Sequence, residues 1–532
     1  MKKLLLSFAA ACAVTAAPAA VDFTSAWNVA QKNVETATFN APVAFDSKGN
    51  VVTVAPADLG ANLLVLSKTD GTEVIKCGIE GAVTVTSIAL DASDNIYLAG
   101  TLADEVVFSG KDNSSVTLNG MEIDGAATIE QNASFIAKYS ADGNAVKGIT
   151  FCPVTRPEYA MAMDPAAPGS VYFHINHLKV SENNVYASAV YTGTTTPAAG
   201  IFKAETIFES NYWAGWFGLF IGELKATTIF SLDNNLSNGE IIADIKAPSN
   251  PEMDMDNPDI YEALSVSFDV KSGTVYAGFV GYGDLTISAA GKDTKFNADE
   301  TNRDMTFFYA SFTTAGLKDI LGKSTYPDAD KTASNNIGSV LIDDAGTVFG
   351  IGNVHTSVTD PDNEENSIKN AFIIVNKIAE GADVVSQVEA ELAVSSDIAS
   401  EQVSSAAFLP SGEIAVSALN YYTMAAASDK KGEFAGSSNA YIFNGKDFVK
   451  AADFVNPVSF ASKGESFAAS AVVEGGISYT LYTAKTTGIA DIVADENAEA
   501  EYFNLQGVRV ANPENGLYIV RRGNTVTKEL LR

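Results

Sequence analysis

The chain has 532 residues and a formal net charge of −31, from 65 acidic and 34 basic residues. A surface this acidic repels the phosphates of nucleic acids and the headgroups of anionic membranes, so we expect no nucleic-acid partner. Hydrophobic residues make up 46% of the chain and charged residues 19%, a globular composition that excludes disorder as the default state.

The first 19 residues have the pattern of a cleaved secretory signal peptide. Lys2 and Lys3 precede an apolar run at residues 4–14 that is too short to span a bilayer. Small residues follow, and Ala17-Pro18-Ala19 fits a cleavage site. No later stretch approaches the length of a membrane-spanning helix. We therefore expect an exported protein, secreted or held at the cell surface, without a transmembrane span.

Two cysteines, Cys77 and Cys152, remain beyond the signal peptide. An exported chain can pair them in a disulfide, although nothing in their spacing requires one. A chain of this size does not need a covalent cross-link for stability. A disulfide and two free thiols both stay open, and free thiols are favoured.

A strand–turn–strand pattern recurs along residues 41–483. Runs rich in β-branched and aromatic residues favour extended chain, and the Asp, Gly and Asn residues between them favour tight hairpin turns. The copies begin at Ala41, Ser87, His177, Ser265, Ser339, Ser405 and Ser470. A second hairpin follows most of them, beginning at Asn62, Ser134, Leu219, Thr306, Ala371 and Ala440.

Two consecutive hairpins make a four-stranded antiparallel sheet, and copies spaced about 45 to 90 residues apart fit a β-propeller. We predict an all-β fold in which residues 20–485 form a propeller of six or seven four-stranded blades. The last copy lacks its second hairpin. Residues 25–33 offer the missing outer strand, which would close the ring and leave no unpaired sheet edge.

These repeats resemble the secreted bacterial β-propeller repeat family. The best-matching segment is residues 91–151, with DNIYLAGT and SFIAKYSADGNAV, and the resemblance extends over roughly residues 41–483. The family usually ends its second hairpin with Trp, for which Trp27 is the only candidate here, so we expect the blades to pack differently. The resemblance implies the fold and says little about function.

The composition changes after residue 483. Residues 486–500 are small, acidic and linker-like, and residues 501–532 carry strand patterns at 502–505, 508–510 and 516–520 before a basic end. This last segment is similar to the C-terminal sorting domain of the type IX secretion system of Bacteroidetes-type bacteria. The resemblance implies the secretion machinery as a partner; a small β-domain packed on the propeller is the alternative. The matching residues are Tyr502, Asn504, Leu505, Gln506, Gly507, Gly516, Leu517, Tyr518, Ile519 and Val520.

No strong catalytic motif is present in the sequence. The chain has three histidines, His174, His177 and His355, and a serine or cysteine nucleophile normally needs a histidine base. Residues an odd number of positions apart on a strand point to opposite faces, so we expect His174 and His177 to make a poor metal pair. Paired carboxylates could cleave glycosides, but 65 acidic residues will form such pairs by chance.

Two acidic segments have carboxylates at alternate positions, an arrangement that suits Ca²⁺. One carries Asp254, Asp256 and Asp259, and the other carries Asp360, Asp362, Asn363 and Glu364. Neither matches the EF-hand loop. The metal hypothesis is Ca²⁺ at Asp254, Asp256 and Asp259, and a solvated turn is the alternative. We expect no other cofactor.

An aromatic cluster at Tyr212, Trp213 and Trp216 is the candidate ligand-binding site. Flat aromatic faces stack on sugar rings or fill protein hot spots, and burial in the core is the alternative. Insertions expected as surface loops occur at 102–133, 191–218, 284–305 and 356–370. We expect a non-catalytic binding protein whose ligand is a glycan or a protein. The alternative is a polysaccharide-active enzyme that uses paired carboxylates on the propeller face.

Overall fold

The structure, a computed structural model, consists almost entirely of β-strands. The chain divides into two compact units, one of which is Ser25–Thr483 and the other of which contains Ala484–Arg532. Over the described residues the single helical element is a 3₁₀ turn at Lys111–Asn113. None of these residues forms a helix long and apolar enough to cross a membrane. The described residues are 23–32, 41–57, 59–120, 133–154, 171–215, 220–248, 250–253, 262–296, 304–327, 329, 335–360, 363–378, 385–389, 399–422, 435–451, 454–474, 476–484, 500–504, 509–522 and 525–531.

Seven four-stranded antiparallel blades follow one another over the described part of Ser25–Thr483. Blades one and two share the long strand Glu73–Leu90, which ends the first blade and begins the second. The strands of blade one are Val43–Phe45, Val51–Ala57, Gly60–Leu66 and the first half of Glu73–Leu90; blade two continues with Ile96–Ser109, Ala133–Tyr139 and Ala145–Phe151; blade three has Tyr172–Ser181, Asn184–Thr192, Ala226–Asp233 and Glu240–Lys246; blade four has Glu262–Lys271, Thr274–Tyr282, Met305–Thr313 and Gly316–Tyr326. Blade five has Asn336–Ile342, Val348–Asp360, Asn363–Ile378 and Val385–Glu389; blade six has Ala399–Phe408, Ile414–Tyr422, Ala435–Phe443 and Phe448–Lys450; blade seven has Pro457–Lys463, Ser466–Val473, Gly476–Ala484 and Phe23–Lys32.

The blades form a closed ring around a central channel. The first strand of each blade packs beside the first strand of the next, and the first strand of blade seven packs beside that of blade one. These seven inner strands line the channel. The predicted all-β propeller is confirmed, and seven blades are present in the described part of the chain.

The N-terminal strand Phe23–Lys32 completes blade seven. It lies beside Gly476–Ala484 as the outer strand, so the two ends of the propeller sequence meet in one sheet. The Asn28 amide donates a hydrogen bond to Thr480 Oγ1 at 2.6 Å. Trp27 is buried in the hydrophobic cluster shared with blade one. The prediction that residues 25–33 close the ring is confirmed.

The inner strands of blades two to seven share a β-bulge, seen as a shift in register against the second strand. The residue after the bulge is His177 in blade three and a serine in the other five blades: Ser87, Ser265, Ser339, Ser405 and Ser459. Four of these serines accept a hydrogen bond from a backbone N–H of the next blade, such as Ser405 from Phe460 at 3.0 Å. The bonds satisfy amides at the inner edge of each sheet, where no further strand can pair with them.

The C-terminal unit contains one four-stranded antiparallel sheet. Its strands, in spatial order, are Arg509–Val510, Ala500–Phe503, Gly516–Arg522 and Thr525–Leu531. Tyr502 and Tyr518 pack edge to face across it, with ring centroids 6.2 Å apart. The last strand was not among the predicted ones, although Gly523-Asn524 before it are typical hairpin-turn residues.

Candidate functional site

The long connections of the propeller all emerge at one end of the ring. Strands alternate in direction within a blade, so the connections between second and third strands lie opposite the turns between first and second strands. Blades two to six carry long connections of the former kind, at 103–132, 193–225, 283–304, 356–370 and 423–434, whereas Ala57 pairs with Gly60 in blade one across a tight turn. We call this end of the ring the insertion face.

Several of the insertions are β-hairpins rather than the loops that we expected. In blade four, Leu285–Ala289 and Lys292–Phe296 form a hairpin, and Leu285–Ala289 also pairs with the outer strand of blade three. In blade five, the second and third strands, Val348–Asp360 and Asn363–Ile378, continue to pair beyond the blade as a hairpin. The reason is visible in the residues, because Leu285, Ile287 and Ala289 alternate with polar residues and are buried, as on a half-buried strand.

The insertion of blade three builds a small ordered sheet on this face. The strand Tyr212–Gly215 pairs with Phe220–Glu223 in antiparallel fashion and with Asn250–Met253 in parallel fashion. We call these three strands the rim sheet. Phe208 lies four residues before this sheet in the sequence and is fully buried. Its ring packs on Phe173 with centroids 5.1 Å apart, which anchors the insertion in the propeller core.

The predicted aromatic cluster lies on the rim sheet. Tyr212 and Trp213 are both partly exposed, and Trp213 packs against the hydrophobic cluster between blades three and four. Trp216 lies outside the described residues. Trp213 therefore combines the two alternatives raised by the sequence: part of the ring is packed and part is accessible.

A polar cluster surrounds Glu262 where the inner strands of blades three and four begin. Lys225 Nζ lies 3.7 Å from Glu262 Oε2, and the Tyr282 hydroxyl donates to the same oxygen at 3.4 Å. Tyr172 and His174 lie on the neighbouring inner strand with ring centroids 4.6 Å apart. Burial, reinforced by the Glu262 charge, raises the pKa of both Tyr172 and Tyr282. We call these five residues the mouth cluster.

A buried carboxylate, Asp244, lies on the outer strand of blade three. Tyr191 donates a hydrogen bond to Asp244 Oδ1 at 2.7 Å, and Lys246 Nζ lies 2.9 Å from Asp244 Oδ2. Burial raises the pKa of Asp244, and the positive charge of Lys246 opposes that shift. The acid is enclosed and both of its oxygens are engaged, so it links the second strand of blade three to the outer strand.

The central channel is polar and has a volume of about 570 Å³. Lysines on its wall are paired with the next blade: Lys179 Nζ lies 3.4 Å from Asp269 Oδ1, and Lys463 donates to the Asp46 carbonyl. Enclosure in the wall and the nearby charge of Lys179 lower the pKa of His177 to about 4, so this ring is neutral at physiological pH.

The expectation that His174 and His177 point to opposite faces is wrong. They pair with Val190 and Ser188, which are two positions apart on the second strand and therefore share a face. The bulge at Asn176 adds one residue between the two histidines and restores their alignment. Among the described residues, no group of three or more His, Cys, Asp or Glu side chains is placed to hold a metal ion.

The remaining predicted residues are distributed as follows. Asp254, Asp256 and Asp259 lie outside the described residues, as does Asp362, while Asp360 pairs with Asn363 at the end of the blade-five hairpin. Tyr502, Asn504, Gly516, Tyr518, Ile519 and Val520 of the sorting-type motif are described, and Leu505, Gln506 and Gly507 are not. Cys77 and Cys152 are both free thiols.

Comparison with known proteins adds structural similarity alone. No protein-family model matches the chain, and no curated protein matches it. The β-propeller domain of Cps50 (Swd1) from Myceliophteria thermophila is 11% identical and has a TM-score of 0.34, with 85% of this chain and 99% of that chain covered. Polysaccharide lyase Uly1 is 9% identical with a TM-score of 0.39, covering 87% and 97% of the two chains. The α-L-arabinanase of Penicillium chrysogenum, complexed with arabinobiose, is 10% identical with a TM-score of 0.32, covering 87% and 99%. Identities this low say nothing about function.

Proposed function

We propose that this protein is an exported, non-catalytic β-propeller that binds a glycan at the bacterial cell surface or outside the cell. The observation that carries the proposal is the insertion face. Five consecutive blades place their long connections at one end of the ring, and the opposite end has short turns in the described blades. Ligand-binding residues are concentrated in such connections when a rigid scaffold holds them.

A glycan is favoured over a protein ligand by the residues at this face. The rim sheet presents Tyr212 and part of Trp213, and the mouth cluster adds Tyr172 beside the carboxylate of Glu262. Aromatic faces next to hydrogen-bonding groups in a concave site suit a small polar ligand. Among the described residues of the propeller, the large apolar side chains that are exposed are Leu, Val and Ile, whereas the anchors of protein interfaces are often aromatic.

The proposal of export depends on both ends of the sequence. Residues 1–19 have the charged, apolar and small-residue order of a signal peptide. The C-terminal sheet carries the residues that resemble a type IX sorting domain, including Tyr502, Gly516 and Tyr518. We propose that this unit targets the protein to the secretion machinery. The propeller, which resembles the secreted bacterial repeat family, would then lie outside the cell.

The test uses the mature chain, residues 20–532, with a panel of immobilised glycans and surface proteins. Saturable glycan binding without new reducing ends would support the proposal. New reducing ends or unsaturated products would support the polysaccharide-active enzyme instead, and Glu262→Gln and Asp244→Asn variants would then test these two carboxylates as reacting groups. Saturable binding of a protein with no glycan bound would replace the ligand class and leave the binding function intact.

A further inference from the structure

We infer that the mouth cluster is a subsite for an uncharged sugar ring, and this inference rests on the proposed glycan-binding function. The subsite is formed by Tyr172, His174 and Lys225 of blade three together with Glu262 and Tyr282 of blade four. It therefore spans two blades and lies at the end of their inner strands that carries the insertions. No single repeat contains it.

Two neighbouring inner strands bring the principal groups together. Tyr172 begins the inner strand of blade three, and Glu262 begins that of blade four. Seven positions further along the same strands, Lys179 and Asp269 lie 3.4 Å apart in an ion pair. The two strands are thus in register, with a paired set of side chains at each end. Lys179 and Asp269 neutralise each other, whereas Tyr172 and Glu262 place an aromatic ring beside a carboxylate.

The charges of the mouth cluster favour a neutral ligand. Lys225 lies against Glu262, so the two formal charges cancel within the site. A cationic ligand would have to compete with Lys225 for the carboxylate, and an anionic one would approach both Glu262 and a chain of net charge −31. A hydroxyl group carries neither cost and can donate a hydrogen bond to a carboxylate oxygen.

Glu262 retains the capacity for that hydrogen bond. Its side chain is 15% exposed, and both Lys225 and Tyr282 approach the same oxygen, Oε2. Within the described part of the chain, Oε1 has no hydrogen-bond partner. A hydroxyl donor can bind this oxygen strongly, because hydrogen bonds to charged groups are stronger than those between neutral groups.

The aromatic pair supplies the other half of the recognition. Tyr172 and His174 stack against each other, tilted by 30° with their ring centroids 4.6 Å apart, and the stack forms a partly exposed aromatic surface. The C–H face of a sugar ring packs on such a surface while its hydroxyls reach the neighbouring polar groups. Lys225 lies two residues after the rim-sheet strand Phe220–Glu223, so further sugar units can extend toward Tyr212.

The experiment compares Glu262→Gln and Tyr172→Ala with the matched control Asp269→Asn in the mature chain. The control makes the same carboxylate-to-amide change on the same strand, at the other end of the channel. Affinities are measured by calorimetry for cello-, manno- and xylo-oligosaccharides as neutral probes, and for oligogalacturonides and heparin oligosaccharides as charged probes. Thermal melting of every variant verifies that it is folded.

We expect the wild type to bind one neutral series and none of the charged probes. Glu262→Gln should weaken that binding about tenfold and Tyr172→Ala at least tenfold, while Asp269→Asn leaves it unchanged. Neutral binding that is equally insensitive to all three substitutions would overturn the subsite but not the proposed function. Tighter binding of a charged probe would also overturn it. A wild type that binds no glycan at all would overturn both.

Discussion

The indole Nε1 of Trp27 donates a hydrogen bond to the backbone carbonyl of Lys68 at 3.2 Å, and so joins the outer strand of blade seven to blade one. Trp27 stands on the strand that comes first in the propeller sequence and completes its last blade. Gly71 lies directly beneath the indole, where a Cβ atom would come within 2.9 Å of the ring. The ring is therefore closed by the N-terminal strand, and the indole packs closely against blade one at the seam.

Replacing Trp27 by Ala should destabilise the propeller by about 3–5 kcal/mol, the usual cost of removing a buried aromatic side chain. Denaturant unfolding of the mature chain gives the measurement. The control is Gln31→Ala on the same strand, because its partly exposed side chain makes one long contact to Glu73, at 3.4 Å. Equal unfolding midpoints for the two variants would show that the seam contributes nothing to stability.

The serines that follow the bulges should stabilise the boundary between blades. Ser405→Ala removes the acceptor for the Phe460 amide and should cost about 1–2 kcal/mol, since a buried donor is left unsatisfied. Ser411→Ala, in an exposed turn of the same blade, should change the unfolding free energy by less than about 0.5 kcal/mol. The expectation fails if the two alanine variants unfold at the same denaturant concentration.

His177 should make the propeller sensitive to mild acid. Its pKa is lowered from 6.5 to about 4 in the folded state, so the folded chain binds this proton less readily than the unfolded chain. The stability it contributes is complete above pH 6.5 and is lost as the pH falls from 6.5 toward 4. The loss should be about 1–3 kcal/mol at pH 4, discounted because the ring is partly exposed.

The substitution His177→Ser tests this pH dependence. Serine is the residue that follows the bulge in the inner strands of the other five bulged blades. Its unfolding free energy should fall less steeply between pH 6.5 and pH 4 than that of the wild type. Parallel pH profiles for the two chains would mean that His177 titrates normally in the folded state.

Deleting residues 488–532 should leave the melting temperature of the propeller unchanged and prevent its release across the outer membrane. The C-terminal sheet belongs to a different compact unit from Ser25–Thr483 and pairs its own four strands. Calorimetry of the purified protein and fractionation of an expressing bacterium measure the two effects. A large loss of stability together with intact export would show instead that the tail is a structural part of the propeller.

The blade architecture was predictable because it is written in local patterns. Each hairpin places β-branched and aromatic residues around an Asp, Gly or Asn turn, and the structure keeps those turns: Asp91 accepts bonds from the Ser93 and Asn95 amides of its own turn. The closing strand was predictable for a different reason, since blade seven was one strand short and an open edge is unfavourable.

The bulges and the mouth cluster were not predictable from one sequence. The six bulged residues are Thr86, Asn176, Leu264, Gly338, Ser404 and Val458, which share no side-chain property, so nothing local marks the extra residue that aligns His174 with His177. The mouth cluster draws on strands that are far apart in sequence, and the packing of blade three against blade four brings Tyr172 beside Glu262. Lys179 and Asp269 stand at matching positions of two neighbouring repeats. Reading seven positions back from each reaches Tyr172 and Glu262, and this alignment is the sequence signal that could have suggested the mouth cluster.

The hairpin that blade four places on the outer strand of blade three has a consequence for how such a ring can evolve. A propeller made of interchangeable units can gain or lose a blade by duplication or deletion of one repeat. Here Asp244, Ile245 and Lys246 pair with Ser288, Ile287 and Thr286 of the next repeat, so removing blade four would also uncover blade three. Residues 171–327 are therefore a single heritable module, and any circular permutation or blade-shuffling experiment should cut on either side of it rather than within it.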